Sequence, residues 1–442
     1  MSRRLVTIRK VDDINPIPNA DAIEVASIGG WQVVTKKGEF SPGSYCLYFE
    51  IDSFLPTGNP AWQFLVDKQG REFEGVYGHR LRTIKLRGQL SQGFIAPISS
   101  FPKVVEFALA RKCDGHFCEN DYAELMDEDF SQLLGVKKWE ASLPAQLAGQ
   151  AEGLFPSFIR KTDQERCQNL VNQIFQYDDE LVDFSITAQT MVPEALKALE
   201  DKGIIQFLDG RWMKTNKAQA SPFTPYEVTM KMDGSSMTVF ARQDRRDTET
   251  LADIAAVESG VCSRNLQLKI SDANKDNSFV RMAVDSSLLS VLQALAREEG
   301  LQLAVQGELM GPGIQGNREN LKDFTFFVFD IQDLSTGQYL SVYQRYSIMD
   351  KLYARGVNPF KLRHVPIMIE PGKFVDFREL AGDERIGHML DKLNISNVKD
   401  LLAFAEGPSL VNPVREGLVF KQLDGSFSFK AISNAYLLKG GD

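Results

Sequence analysis

Cysteine is scarce in this chain: five in 442 residues, an odd number, widely scattered. That excludes a disulfide framework and fits a reducing compartment. Cys113 and Cys118 bracket His116, but no second pair completes a tetrahedral zinc site, and ordinary loop thiols are the better reading. Long apolar runs are missing as well. Nothing approaches the length of a bilayer span, and the opening "MSRRLVTIRKV" lacks the apolar core of a signal peptide. The expectation is a cytoplasmic chain with no membrane partner. A basic excess is also lacking: the net charge is −9, whereas nucleic-acid binders usually advertise themselves by positive charge. There is no internal repeat and no low-complexity segment.

What is present is the composition of a globular protein, 43% apolar and 25% charged, at a length that calls for two or three domains. Charge is distributed unevenly. "HRLRTIKLRGQ" (His79 to Gln89) holds Arg80, Arg82, Lys85 and Arg87 and no acid, which makes it a candidate phosphate track. "ENDYAELMDED" (Glu119 to Asp129) holds six acids and no base and reads as a solvated insertion. Short β-forming segments punctuated by turns, "IEVASIGGWQVVTKKGEF", "YCLYFEIDSFLP" and "RLRTIKLRGQLSQGFIAPI", suggest a small barrel or sandwich in the first hundred residues. The arginines of the basic segment fall on both faces of an extended strand, which a small barrel cannot bury, so the segment belongs on an open face.

Pro, Ala and Gly in "LPAQLAGQ" mark a linker, and the domains are placed at 1–142 and 143–442. In "TDQERCQNLVNQIF", Thr162 followed by Glu165 reads as a capping box opening a helix. From residue 221 the pattern is mixed, with strands at 226–242, 301–309, 324–332 and 416–432. "SSLLSVLQALAREEG" is a helix stopped by Gly300, and "SNVKDLLAFAEG" another, capped by Ser396. The fold class is α+β with antiparallel sheets.

Chemistry concentrates at strand ends. In "YEVTMKMDGSSMTVF", alternation puts Glu227, Thr229 and Lys231 on one face, and Asp233-Gly234 then turns the chain. One Lys-x-Asp-Gly is a weak signal. "VQGELMG" adds Glu308 at the end of an apolar strand. In "DFTFFVFDI", Phe324, Phe326, Val328 and Asp330 share a face by alternation. "EGLVFKQ" and "SFSFKAIS", joined by the Asp-Gly turn of "QLDGS", bring Glu416, Lys421 and Lys430 onto one hairpin. Acids and lysines at several strand ends describe a charged pocket.

These stretches, together with "CSRN" (Arg264), stand in the order of motifs in the covalent nucleotidyltransferases, the superfamily of polynucleotide ligases and mRNA capping enzymes. "GGWQVVTKKGEF", "YFEIDSFLP", "RLRTIKLRGQLSQG", "FPSFIRKTDQER" and "FKAISNAYLLK" more closely resemble the ATP-dependent RNA ligases whose OB domain precedes the nucleotidyltransferase domain. Only twelve residues follow Lys430, which disfavours DNA ligases and capping enzymes that place an OB barrel after the last motif. The segments 105–140 and 175–220 match nothing in this pattern.

The resemblance implies ATP and Mg²⁺ or Mn²⁺ as cofactors. It implies RNA or RNA/DNA strands with 3′-hydroxyl and 5′-phosphate ends as substrates, nicked duplexes among them, and a monomeric enzyme. Lys231 would take AMP as a lysyl phosphoramidate, activated by Lys421, Lys430 and the metal. Glu416 would face the metal with help from Asp233, and Gly234 would line the nucleotide site. Glu308 would hold the ribose, Arg264 a ribose or strand end, and Phe326 would stack on adenine. One departure stands out: the last motif usually reads Lys-x-Lys, whereas here it is Ser428-Phe429-Lys430, so the first phosphate contact is missing or comes from a residue such as Lys439. The alternatives are a DNA ligase, a GTP-dependent capping enzyme, and a non-catalytic nucleic-acid-binding protein.

Overall fold

The structure is a computed structural model that describes residues 4–111, 119–139, 149–175, 181–201, 205–208, 210–215, 224–243, 257–380 and 386–439. Cys113, His116 and Cys118 lie outside the described residues. The chain forms two compact units. Residues 1–149 and 434–442 make the first, and 150–433 the second.

The first unit is rich in short strands. Val6–Lys10 pairs antiparallel with Tyr45–Phe49, which also pairs with Phe94–Ala96. A second sheet runs Asp13–Pro16, Ile23–Ile28, Trp31–Lys36 as a meander. Alternation dictates what is buried: Trp31, Val33 and Thr35 of the last strand are inside, while Gln32 and Val34 are only half-buried. The acidic stretch is more than a solvated insertion. Leu125 and Phe130 anchor it in the apolar core, and Arg4 and Arg111 pair with Asp127 and Glu128. The basic segment ends in a hairpin, Thr83–Leu86 with Gln89–Gln92, whose two-residue turn puts both Arg87 and Gly88 at positive φ, as twisted hairpins require. The last residues also belong to this unit and do not continue the second domain: Tyr436 and Leu437 are buried, and Gln92 Nε2 donates to Asn434 Oδ1 at 3.2 Å.

In the second unit two sheets carry the strands expected from the sequence. We label them β1 (Tyr226–Lys231), β2 (Ser235–Gln243), β3 (Leu303–Met310), β4 (Thr325–Asp333), β5 (Gly417–Gln422) and β6 (Ser428–Ile432). β2, β3 and β4 are neighbours in an eight-stranded sheet, and β6, β5 and β1 are neighbours in a six-stranded one. Helices α1 (Leu288–Glu299) and α2 (Val342–Ala354) cover one face of the larger sheet. Leu288, Leu292 and Leu295 pack there on Met237, Val239, Val305 and Phe326. Each such fully buried side chain contributes about 1.5–3 kcal/mol. Gly300 ends α1 in the left-handed conformation at φ 69°, as expected. For the helix Val398–Ala405 the cap is Asn397, not Ser396; its Oδ1 accepts from the Lys399 and Asp400 backbone N–H groups.

Two segments differ from the sequence reading. Thr162 and Glu165 do not open a helix. Glu165–Arg166 instead pairs in parallel with Phe429–Lys430 at the edge of the smaller sheet, and the helix begins only at Val171. A tertiary strand partner outweighs the local capping signal. Among the described residues, Leu181–Asp183 is a strand, Ser185–Gln189 and Pro193–Asp201 are short helices, and Ile205–Leu208 pairs with Arg211–Thr215 as a hairpin. The strand pairs with the second arm of the hairpin.

Candidate active site

At the end of β1 three acids from three parts of the fold, Asp233 on the following turn, Glu308 on β3 and Glu416 just before β5, act on one lysine. Lys231 ends β1 opposite Gly417, the first residue of β5, so the preceding Glu416 falls beside it. Lys231 Nζ and Glu416 Oε1 are 2.6 Å apart, with the side chains 27% and 14% exposed. Burial alone would lower the Lys231 pKa, but Glu416, then Glu308 and Asp233, raise it above the ordinary lysine value. The sequence reading placed Lys421 and Lys430 as the groups that free this amine. The groups bearing most strongly on it are anions, so in the nucleotide-free site it is an ammonium.

Gly417 and Gly234 make this approach feasible. A Cβ at Gly417 would stand 2.2 Å from the Ala431 carbonyl oxygen, and one at Gly234 would stand 2.5 Å from that of Leu309. Only glycine lets the turn lie against β3. There the Gly234 N–H donates to Glu308 Oε1 at 3.2 Å. Burial, reinforced by Glu416 and Asp233, pushes the Glu308 carboxyl up to about 8, so it carries a proton near neutrality. Asp233 lies 3.5 Å from Arg318, a residue the sequence reading did not single out. Among the described residues no group of three or more His, Cys, Asp or Glu side chains is arranged to hold a metal. Carboxylates of this number suit magnesium or manganese, which keep several waters and take their remaining ligands from phosphates.

Lys430, on β6, donates to Asp163 Oδ1 at 2.9 Å, and Arg264 Nη2 lies 3.9 Å from the other oxygen. Asp163 thus joins two cations expected to meet the nucleotide or strand. The sequence hinted at it only through the matched "KTDQ", which was read as a helix cap. Lys439 belongs to the first unit.

Three expectations need correction. Phe326 does not face this site. It is completely buried in the helix-covered core with Leu309 and Val328, whereas Glu308 pairs with Phe327 on the opposite face. A bulge at Gln306–Gly307 leaves Phe329 as the extra residue of β4. This shifts the alternation, so that Asp330 faces Lys421 while Phe329 alone among the β4 aromatics is half-buried. Phe329 packs with Phe327, Met230 and Met310. Lys421 also stands apart: it is buried, and its Nζ donates to Asp330 Oδ1 and to the Phe329 carbonyl, each at 2.5 Å.

In the first unit, Arg80 is no free phosphate contact. It pairs with Asp52 at 2.7 Å with 12% of its side chain exposed, and its guanidinium lies 5.8 Å from the Trp139 ring centroid. Arg82, Lys85 and Arg87 are exposed.

Comparison with known proteins agrees with the motif order. A sequence model of an OB-fold domain matches residues 5–98, and one of the RNA ligase family matches residues 224–432. No curated protein is a significant match. Solved structures of a Naegleria gruberi RNA ligase are similar over nearly the whole chain. A substituted form with AMP and Mn is 36% identical, covers 98% of each chain and has a TM-score of 0.67. The form with pyrophosphate is 37% identical over 99% of this chain and 98% of that one, at a TM-score of 0.66. A substituted form with ATP and Mn is 36% identical over 100% of both, also at 0.66. The N-terminal OB fold and the ligase-type second domain expected from the sequence are borne out.

Proposed function

Because the chain belongs to the ATP-dependent RNA ligase family, we propose that it joins 3′-hydroxyl and 5′-phosphate ends at nicks in a duplex, through an AMP carried on Lys231. The observation that carries this reading is the Lys231 amine held between Glu416 and Glu308 at the mouth of a glycine-lined turn. Spacing adds support. Solved forms of the N. gruberi ligase carry substitutions at a lysine and an aspartate two residues apart, the spacing of Lys231 and Asp233. Others fall at a glutamate and a lysine fourteen residues apart, as Glu416 and Lys430 are.

Three phosphoryl transfers make up the reaction. Lys231 Nζ attacks the α-phosphorus of ATP, its N–P bond forms as the bond to pyrophosphate breaks, and the amine proton is lost. The 5′-phosphate of a strand then attacks the same phosphorus and frees the lysine. Finally the 3′-hydroxyl attacks the activated 5′-phosphate and AMP departs. A divalent ion at Glu416, assisted by Asp233, would offset the carboxylate charge and that of the α-phosphate, the condition under which an ammonium yields its proton. Glu308, protonated near neutrality, is placed to hydrogen-bond the ribose. Lys430 and Arg264 would receive phosphate or strand end once Asp163 releases them. Phe329 replaces Phe326 as the surface on which adenine stacks. Arg82, Lys85 and Arg87 would follow strand phosphates, so binding should weaken with salt. Monomeric action and the ribose requirement belong to the same proposal.

Sealing of matched nicked duplexes with one terminal ribose exchanged for deoxyribose tests it. Joining that requires ATP and a ribose at the 3′-hydroxyl side supports an RNA ligase. Equal joining of all-DNA nicks, or none at all, contradicts it.

A further inference from the structure

Lys421 is expected from the sequence to activate Lys231, yet its place on the strand argues otherwise. It lies opposite Glu227 in the β1–β5 register, four residues from Lys231. At about 3.3 Å per residue that is about 13 Å along the strand from the nucleophile. Its ammonium spends hydrogen bonds on Asp330 Oδ1 and the Phe329 carbonyl and lies 5.8 Å from the Phe329 ring centroid. Asp330 Oδ2 accepts from Gln164 Nε2 at 3.2 Å, and Arg345 Nη1 lies 3.9 Å from Asp330 Oδ1.

Behind this pair stands a second. Arg345, buried on α2, donates to Glu227 Oε2, and the Tyr346 hydroxyl donates to the other carboxylate oxygen. Arg345 Nε donates to His364 Nε2 at 3.0 Å. That nitrogen is therefore the acceptor, and the ring's proton sits on Nδ1, 2.7 Å from the Val365 carbonyl. Two carboxylates and two cations cancel inside the protein. Removing any one strands a buried charge, which is strongly destabilising, so the four hold Phe329 in place as a set.

We propose that Lys421 is a base-positioning residue: braced by Asp330, Arg345 and Glu227, it fixes the Phe329 ring at the base end of the nucleotide site and does not touch the phosphates. This rests on Lys231 being adenylylated with the base at Phe329.

The test is single-turnover adenylylation of Lys231 at varied ATP concentrations, with inhibition by inorganic pyrophosphate measured alongside. Lys421→Met strands Asp330, so the double variant Lys421→Met/Asp330→Leu, which keeps the charge balance, carries the test if the single one unfolds. The expected result is ATP affinity about tenfold weaker, with pyrophosphate inhibition within about twofold of the parent. A parallel loss of pyrophosphate affinity would make Lys421 a phosphate contact after all. Unchanged ATP affinity would likewise overturn the proposal. If the unsubstituted protein forms no adduct, the underlying reading fails and not this one alone.

Discussion

Lys231 and Glu416 meet at 2.6 Å across the ends of two antiparallel strands, one closing β1 and the other just before β5. The carboxylate stabilises the ammonium in the resting site, yet the reaction needs a neutral amine. Removing the carboxylate therefore separates two effects. In Glu416→Gln the Lys231 pKa should fall, so its modification by an amine reagent should begin at lower pH than in the parent. Adduct formation with ATP should nonetheless drop by at least about a hundredfold, the usual size of losing one electrostatic stabiliser. An amine both freer and faster with ATP would show that Glu416 only restrains Lys231.

Gly234→Ala should fail for a steric reason. The new Cβ would stand 2.5 Å from the Leu309 carbonyl oxygen, and the turn would have to leave β3. Overpacking of this kind costs about 1–3 kcal/mol. Chemical denaturation should register that loss, and adduct formation should suffer more than stability does, because the Gly234–Glu308 hydrogen bond goes with it.

Acid should destabilise the second unit in two stages. Burial, aided by Arg345, lowers the His364 pKa from 6.5 to about 4. From pH 6.5 down to 4 the unfolded chain binds a proton there that the folded one does not, so stability falls as pH falls. Glu227 behaves alike at lower pH. Burial pushes its carboxyl up, but Arg345, His364, Lys421 and the Tyr346 hydroxyl together outweigh this and hold it down to about 2, against 4.5 when free. The histidine term is on the order of 3 kcal/mol. His364→Gln keeps an acceptor for Arg345 and should delay the acid loss to below about pH 5. Urea midpoints measured against pH check this; identical profiles would contradict it.

The basic segment should divide by position. Arg80→Ala should lower stability by removing the Asp52 pair and the packing on Trp139, with little change in the salt dependence of strand binding. Lys85→Ala and Arg87→Ala should leave stability within about 0.5 kcal/mol. Each should reduce the slope of log affinity against log salt by about 1. Titrations at several salt concentrations separate the two groups.

Much of the site was legible because strand ends carry their chemistry in short quoted runs. Lys231, Asp233, Gly234, Glu308 and Glu416 were each named from residue type, turn chemistry and motif order, and the structure brings them together. What alternation missed has one local cause. The bulge in β4 adds a residue at Phe329, and a single extra residue reverses which face every later side chain occupies. Asp330 could not be seen as a partner of Lys421 for that reason; Phe326 lies before the bulge and keeps the face that alternation gave it with Phe324 and Val328, which is the core face. Asp163 was hidden by a competing local signal, since Thr162 and Glu165 fit a helix cap until Phe429 and Lys430 supply a strand to pair with. The 181–215 module shows its two helices and hairpin only as weak short patterns, too brief for periodicity to decide. Arg80 looked like its basic neighbours because sequence does not reveal that Asp52 and Trp139 lie against it.

The most direct measurement is to incubate the protein with α-labelled ATP and a divalent metal and map the adduct by peptide mass spectrometry. AMP should be found on Lys231 alone, as an acid-labile phosphoramidate, and Lys231→Ala and Lys231→Arg should carry none. Label on another residue, or on a variant lacking this lysine, would contradict the mechanism.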